Sequence, residues 1–358
     1  MYNRRKSRVV KIGEVAIGGE HPITIESMTN TKTADVEGTV AQIKALAAEG
    51  CEIVRVTVNT PDAAEGFAAL RRKIGNIPLV ADIHFDYKMA IAAIEAGADN
   101  IRINPGNIGS ADRVRAIADA AGRRSISIRV GVNSGSLEQD LIDAHSGVTG
   151  RGLAESALRN VRLLEQFDFD NIIVSMKASN IPMTLEAHEI FAPQMDYPLH
   201  IGITEAGTLY SGTIKSTAGI SSLLTRGLGD TVRISLTADP IEEVRAAKEM
   251  LQALRLRTFG PEIISCPTCG RTEVDLIPIA NEVRQRIRHI ASPISVAIMG
   301  CVVNGPGEAK ECDIGIAAGK GAGILFKKGE IVRKISEVEM ADVLVCEIEK
   351  IVESGNML

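Results

Sequence analysis

Along most of the chain, apolar residues come in short β-branched runs, separated by longer stretches where they recur every three or four positions. Eight runs stand out: ITIES (23–27), IVRVTV (53–58), PLVADI (78–83), NIRIN (100–104), SISIRVGV (125–132), NIIVSMKA (171–178), LHIGIT (199–204) and TVRISL (231–236). Each is bounded by Gly, Asn, Asp or Pro and is apolar on both faces, the pattern of a parallel strand covered on both sides. The intervening stretches have helical periodicity. TADVEGTVAQIKALAAEG opens with Thr33 or Asp35 as N-cap and closes at Gly50, and DPIEEVRAAKEMLQALRL carries Pro240 in its first turn. Eight strand–helix units predict an α/β chain with an N-terminal (β/α)8 TIM barrel over residues 1–258, an open doubly wound sheet being the alternative. VVKIGEVAIGG reads as a hairpin closing the barrel bottom. The breaker pair Gly260-Pro261 suggests a hinge, and residues 259–358 read as a smaller α/β domain. Between Asn133 and Gly150, a long polar loop follows the fifth strand, on the face where barrels build their sites.

Composition narrows the function classes. The 358 residues carry 40 Lys and Arg against 45 Asp and Glu, a net charge of −5, which argues against a nucleic-acid partner. Trp is absent and Tyr numbers 4, too few for base-stacking platforms. Hydrophobic residues at 45% support a sizeable core. No apolar run is long enough to span a bilayer, and the basic opening MYNRRKSRVV has no apolar stretch behind it. A cytoplasmic protein without membrane contact is expected.

Four strands place an arginine in the same local frame, Arg55, Arg102, Arg129 and Arg233, each between β-branched residues, and the sixth strand adds Lys177. Strand side chains alternate, so Asn104 and Ser235 share the face of the arginine two before them, and Asn133 lies four after Arg129. Asp82 and Glu205 are available as partners, but two carboxylates cannot offset five cations. The missing negative charge points to a ligand, and guanidinium forks suit phosphate oxygens. A small molecule with more than one phosphate group is the economical expectation. Asp82 and His84 share a face and suit acid–base work, as does Glu205 after the seventh strand. Asn104 opens a loop that reads either as an anion-binding helix start or as an ordinary turn.

Five of the 6 cysteines lie after residue 260. Cys266 and Cys269 have metal-ligand spacing, and Cys301 sits in a glycine-rich turn, where the backbone can approach a bulky group closely. Cys-x-x-Cys with a remote third Cys suits a cubane iron–sulfur cluster whose fourth iron lacks a thiolate. Zinc, with Cys312 as a fourth ligand, remains open from spacing alone. Cys51 and Cys346 read as buried small hydrophobes.

The stretches SMTNT (27–31), LVADIHFDY (79–87), IRINPGN (101–107), KAS (177–179), GITEAG (202–207), CPTCGR (266–271) and GCVVNGPGE (300–308) resemble the 4-hydroxy-3-methylbut-2-en-1-yl diphosphate synthase family, iron–sulfur enzymes of the methylerythritol phosphate route to isoprenoids. The resemblance covers nearly the whole chain. It implies a TIM barrel with a C-terminal iron–sulfur domain similar to half of a sulfite reductase. It implies a [4Fe–4S] cluster on Cys266, Cys269 and Cys301 with Glu308 as a labile fourth ligand. The substrate it implies is 2-C-methyl-D-erythritol 2,4-cyclodiphosphate, held by Arg55, Arg102, Asn104, Arg129, Asn133, Lys177, Arg233 and Ser235. Glu205, Asp82 and His84 are then candidates for proton delivery, with flavodoxin or ferredoxin as electron donor and a head-to-tail homodimer as the assembly. Two positions depart from the family pattern: Cys312 is not required, and Glu26 stands where Gln is usual, with little effect expected. The rival expectation is a non-redox barrel acting on a phosphorylated or pterin-like ligand, with a structural zinc domain.

Overall fold

All eight apolar runs form strands. In the computed structural model, which describes residues 3–301, 307 and 310–354, they are β3 (Thr24–Met28), β4 (Ile53–Thr57), β5 (Leu79–Asp82), β6 (Asn100–Ile103), β7 (Ser127–Asn133), β8 (Ile172–Lys177), β9 (His200–Ile201) and β10 (Thr231–Val232). They pair in parallel in the order β8-β7-β6-β5-β4-β3-β10-β9. A parallel bridge between Val174 and Leu199 joins the two ends, with Val174 N–H donating to the Pro198 carbonyl at 2.9 Å. The sheet therefore closes into a barrel, and the open-sheet alternative is set aside. Outward positions such as Val54, Val56, Ile101 and Ile103 are fully buried under the helices, which is why each strand reads as apolar on both faces.

The helices start and stop where capping chemistry requires. Asp35 accepts from Gly38 N–H at 3.1 Å, and Gly50 ends that helix in the left-handed region with φ 101°. Asp239 caps the last barrel helix, Pro240–Ala253. The opening hairpin, β1 (Val10–Ile12) and β2 (Val15–Ile17), plugs one end: Val10, Ile12 and Ile17 pack on Ile53, Val80 and Ile173. The stretch after β7 is folded rather than a long loop. It holds a short 3-10 turn, Ser134–Ser136, and a helix, Gln139–Ala144, tied down by Glu138, which accepts from Ser156 Oγ at 2.9 Å.

Residues from Thr258 onward form a second compact unit. Its five-stranded sheet runs β11 (Glu262–Ser265), β12 (Ser295–Met299), β13 (Ile314–Gly319), β14 (Ala322–Lys327) and β15 (Glu330–Ser336). The first three are parallel and the last three antiparallel. Helices Leu276–Ile287 and Met340–Glu353 cover the sheet with Leu276, Val283, Ile287, Leu344 and Ile348. β11 has no counterpart in the sequence reading, because it is four residues long and mostly exposed. Gly260 belongs to this unit, where a Cβ would press on the Ile290 carbonyl.

Candidate active site

Period-two alternation carries one line of side chains from each strand to the barrel interior. At mid-height these are Glu26, Arg55, Asp82, Arg102, Arg129, Lys177 and His200, all buried. Burying this much charge costs several kcal/mol per ion unless each is paired, so the pairings decide what the interior can do.

Arg129 and Glu26 are both fully buried, from opposite sides of the barrel. Arg129 Nη1 donates to Glu26 Oε1 at 2.6 Å, and Nη2 donates to Oε2. Burial alone would raise the Glu26 carboxyl, but Arg129, helped by Arg55 and Lys177, outweighs it and holds the group below its ordinary value. Asp82 lies between two arginines, 3.2 Å from Arg102 Nη1 and 3.6 Å from Arg55 Nε. There too the cations overcome burial and keep the carboxyl low. Asp82 is therefore a charge partner, not a reservoir of protons. Arg233 is held by Glu243, with both contacts at 3.3 Å. Glu243 also accepts from Ser27 Oγ at 2.8 Å and from Leu236 N–H at 3.0 Å.

These contacts revise the charge balance expected from sequence. Glu205 is exposed and is not among the barrel's salt-bridge partners in the described residues. Glu26 and Glu243 join Asp82 instead. Four guanidiniums against three carboxylates leave an excess of positive charge even before Lys177 is counted. Arg55 shows it most plainly: it is 8% exposed, and its hydrogen bonds among the described residues go to the Met28 sulfur, at 3.2 and 3.3 Å. A thioether is a weak acceptor.

Lys177 ends β8 with Nζ 3.0 Å from His200 Nε2. Burial first, then Arg55 and Arg233, push the lysine well below its ordinary value, and burial, then Arg129 and Lys177, do so for His200. Arg102 Nη2 donates to the Gly131 carbonyl at 3.1 Å, and Asn133, with its amide oxygen turned inward, accepts from the same nitrogen at 3.0 Å. Gly131 is required here, since a Cβ would overlap the Arg102 guanidinium.

Other expected residues are placed differently. Asn104 Oδ1 accepts from Gly106 N–H at 3.2 Å and caps the one-turn helix Pro105–Ile108, while its amide nitrogen lies 3.5 Å from Ser136 Oγ. Ser235 and His84 are half-buried, His84 next to the exposed Phe85. Glu205 lies beyond β9 with φ 52°, a strained conformation for a residue with a side chain.

In the second unit, Cys266 follows β11 and Cys301 follows β12, at the same end of two adjacent parallel strands. Gly300 N–H donates to Cys266 Sγ at 3.2 Å, which brings the two cysteine turns together. Cys269 is exposed, and its thiol is drawn below the ordinary value by the Arg271 backbone N–H and then by the Arg271 guanidinium. Arg271 is raised in turn by Cys269, Cys301 and Cys266, so one cation serves all three sulfurs. Cys312 is buried in a cluster with Met299 and Phe326 against which Cys266 also packs, and burial pushes its thiol up. Cys51 is buried as expected, but Cys346 is exposed on the last helix. Glu308 lies outside the described residues.

Family comparison accounts for both units. Residues 7–248 match the family model described as GcpE TIM-barrel domain, and residues 262–350 match GcpE protein C-terminal domain. The chain belongs to the GcpE family. A GcpE relative from Caldanaerobacter subterraneus subsp. tengcongensis, named 4-hydroxy-3-methylbut-2-en-1-yl diphosphate synthase (flavodoxin), is 55% identical over 98% of both chains. A relative of the same name from Bacillus pumilus is also 55% identical, over 98% of this chain and 95% of its own. These matches displace the rival reading of a non-redox barrel with a zinc domain. Among solved structures, the sialic acid synthetase of Leptospira borgpetersenii (TM-score 0.52, 14% identity, 80% of this chain and 100% of that one) shares the fold of the GcpE barrel. So does the type I 3-dehydroquinate dehydratase of Clostridium difficile (TM-score 0.51, 15% identity, 69% and 98%). No helix of the described residues is long and apolar enough to cross a membrane.

Proposed function

We propose that this protein reductively opens and dehydrates 2-C-methyl-D-erythritol 2,4-cyclodiphosphate to (E)-4-hydroxy-3-methylbut-2-enyl diphosphate, with flavodoxin as electron donor and the cytoplasm as its compartment. The observation that carries this reading is the excess of buried cation in the barrel of a GcpE-family chain. A cyclic diphosphate supplies the missing negative charge. Arg55, whose hydrogen bonds go to a thioether and whose carboxylate contacts with Glu26 and Asp82 are long, at 3.7 and 3.6 Å, is the first guanidinium to turn to phosphate oxygens. Arg102, Lys177 and Arg233 with Asn133 and Ser235 complete the cradle, and Arg129 contributes through its field from behind Glu26. Ring opening makes the diphosphate a leaving group from carbon, and cations fixed in a dry barrel stabilise the charge that develops on its oxygens. Glu205, on a strained and solvent-accessible turn, is the favoured proton donor over Asp82, whose carboxyl the arginines keep ionised; His84 is the second candidate.

The donor set of the second unit fits an iron–sulfur cluster. Three cysteines stand in two neighbouring turns joined by the Gly300 N–H to Cys266 Sγ hydrogen bond, and Arg271 lies near all three. Thiolates without a second Cys-x-x-Cys pair suit a cluster with one iron left free of thiolate. Cys266, Cys269 and Cys301 would hold a [4Fe–4S] cluster, with Glu308 as fourth ligand. When bound, it supplies single electrons and a Lewis-acidic iron. Two copies arranged head to tail would set the cluster of one against the barrel of the other. Iron, zinc and sulfide analysis of anaerobically purified protein tests this assignment. About four irons and four sulfides per chain support it, and one zinc without iron contradicts it.

A further inference from the structure

Lys177 and His200 pair with each other in the barrel, and the carboxylate nearest to them, Glu26, is committed to Arg129. Both are buried, on adjacent strands β8 and β9, with Nζ and Nε2 3.0 Å apart. The neighbours of Lys177 come from every side: Glu26 on β3, Arg55 on β4, Arg129 on β7, Arg233 after β10, and the buried His188 on the helix Ile181–Phe191. His188 is spoken for, with Nδ1 2.7 Å from the Thr184 carbonyl. Glu26 is committed to Arg129 and stands 3.7 Å from His200 Nε2. Gly202 leaves room for the lysine, since a Cβ there would come within 3.0 Å of Nζ.

We propose that His200 is a positioning residue for Lys177, and that the pair takes up one proton from solvent when a phosphate anion enters the barrel. This rests on the anion-binding reading above. The charge count leads to it. Four guanidiniums, of Arg55, Arg102, Arg129 and Arg233, against the carboxylates of Glu26, Asp82 and Glu243 leave one positive charge. A dianion reverses that to one negative charge, and one proton on the pair restores neutrality. With no anion present, burial and the three neighbouring guanidiniums of Arg55, Arg233 and Arg129 disfavour a charged lysine. A phosphate oxygen at Nζ removes that penalty. Lys177 then donates to the anion and to His200 Nε2, which fixes the ammonium on its rotamer. The histidine stays neutral with its proton on Nδ1. That nitrogen is buried and lacks a partner among the described residues. No bond to carbon changes and no electron moves; the only transfer is a solvent proton to the Lys177 amine.

The test uses the cluster-loaded protein and the symmetrical dimethyl ester of diphosphate, a dianion with no titrating proton near neutral pH. Calorimetric titration in two buffers of different ionisation enthalpy, at pH 8, reads proton uptake directly. The expected result is uptake approaching one proton per site, lost in Lys177→Met. His200→Phe lowers the affinity by about tenfold and moves its alkaline decline to lower pH. His200→Gln, whose amide oxygen can accept at the same place, restores both. Binding without proton uptake, or uptake unchanged in Lys177→Met, overturns the inference and leaves the anion site standing. Identical affinity and pH profile in His200→Phe overturns the positioning role. Failure of both the dimethyl diphosphate and the cyclic diphosphate to bind overturns the anion reading as well.

Discussion

The two units build their chemistry in opposite ways. The barrel gathers charged side chains from seven strands into a buried interior, where each is held by neighbours far away in sequence; Arg129 and Glu26 are 103 residues apart. The second unit uses the ends of two adjacent strands and short turns beyond them, with Cys269 exposed. The barrel site is thus tied to the stability of its own fold, whereas the cysteine site, read as a cluster site, would draw its final rigidity from the cluster. Damage to one should leave the other nearly intact.

The sharpest break of that comparison is Cys301→Ser. Activity should fall to background and iron content should drop, while the thermal unfolding of the barrel stays in place; a barrel that unfolds with the cluster would join the two sites. Next is Arg129→Ala. It strands a fully buried carboxylate, so about 3–5 kcal/mol of stability should be lost, read as a lower urea midpoint with an unchanged cluster spectrum. Arg55→Ala weighs binding against folding inside the barrel. Losing a charge-assisted contact to phosphate should weaken the cyclic diphosphate about ten- to a hundredfold, with a smaller drop in the urea midpoint than Arg129→Ala, because Asp82 keeps Arg102 and Glu26 keeps Arg129.

Acid should act on the barrel first. The Glu26 and Asp82 carboxyls are held below their ordinary values. Their stabilising contribution is therefore complete above the unfolded carboxylate range, about pH 4, and is lost as pH falls through the lowered folded values. Lys177 has the other sign: its depressed value costs stability near neutral pH, and the cost is relieved as pH rises toward about 10. Urea midpoints across pH read both slopes. The smallest effect belongs to Cys346→Ser. This exposed thiol stands apart from the cysteine turns in the sequence, and iron content and activity should not change.

Much of the fold was legible because parallel strands covered on both faces leave continuous apolar runs, and all eight were readable. β11 was not: four residues at a sheet edge carry little burial signal. In the site, arginines repeated in one frame exposed the cation line, but the same frame applied to carboxylates would have found Glu26 in ITIES. Glu243 was hidden differently. It follows Glu242 on a helix whose charged positions read as a solvated face, and only the turn after β10 directs it to Arg233 and Ser27. Asn104 was ambiguous because capping and anion binding ask for the same residue at a helix start. His200 gave no signal, since its role arises only when β8 and β9 meet at barrel closure.

Turnover tests the central claim most directly. The anaerobically loaded protein is incubated with 2-C-methyl-D-erythritol 2,4-cyclodiphosphate and reduced flavodoxin, and phosphorus resonance follows the substrate. The expected result is replacement of the cyclic diphosphate signals by those of a linear diphosphate ester, dependent on reductant. Persistence of the cyclic diphosphate with fully iron-loaded, folded protein would contradict the account.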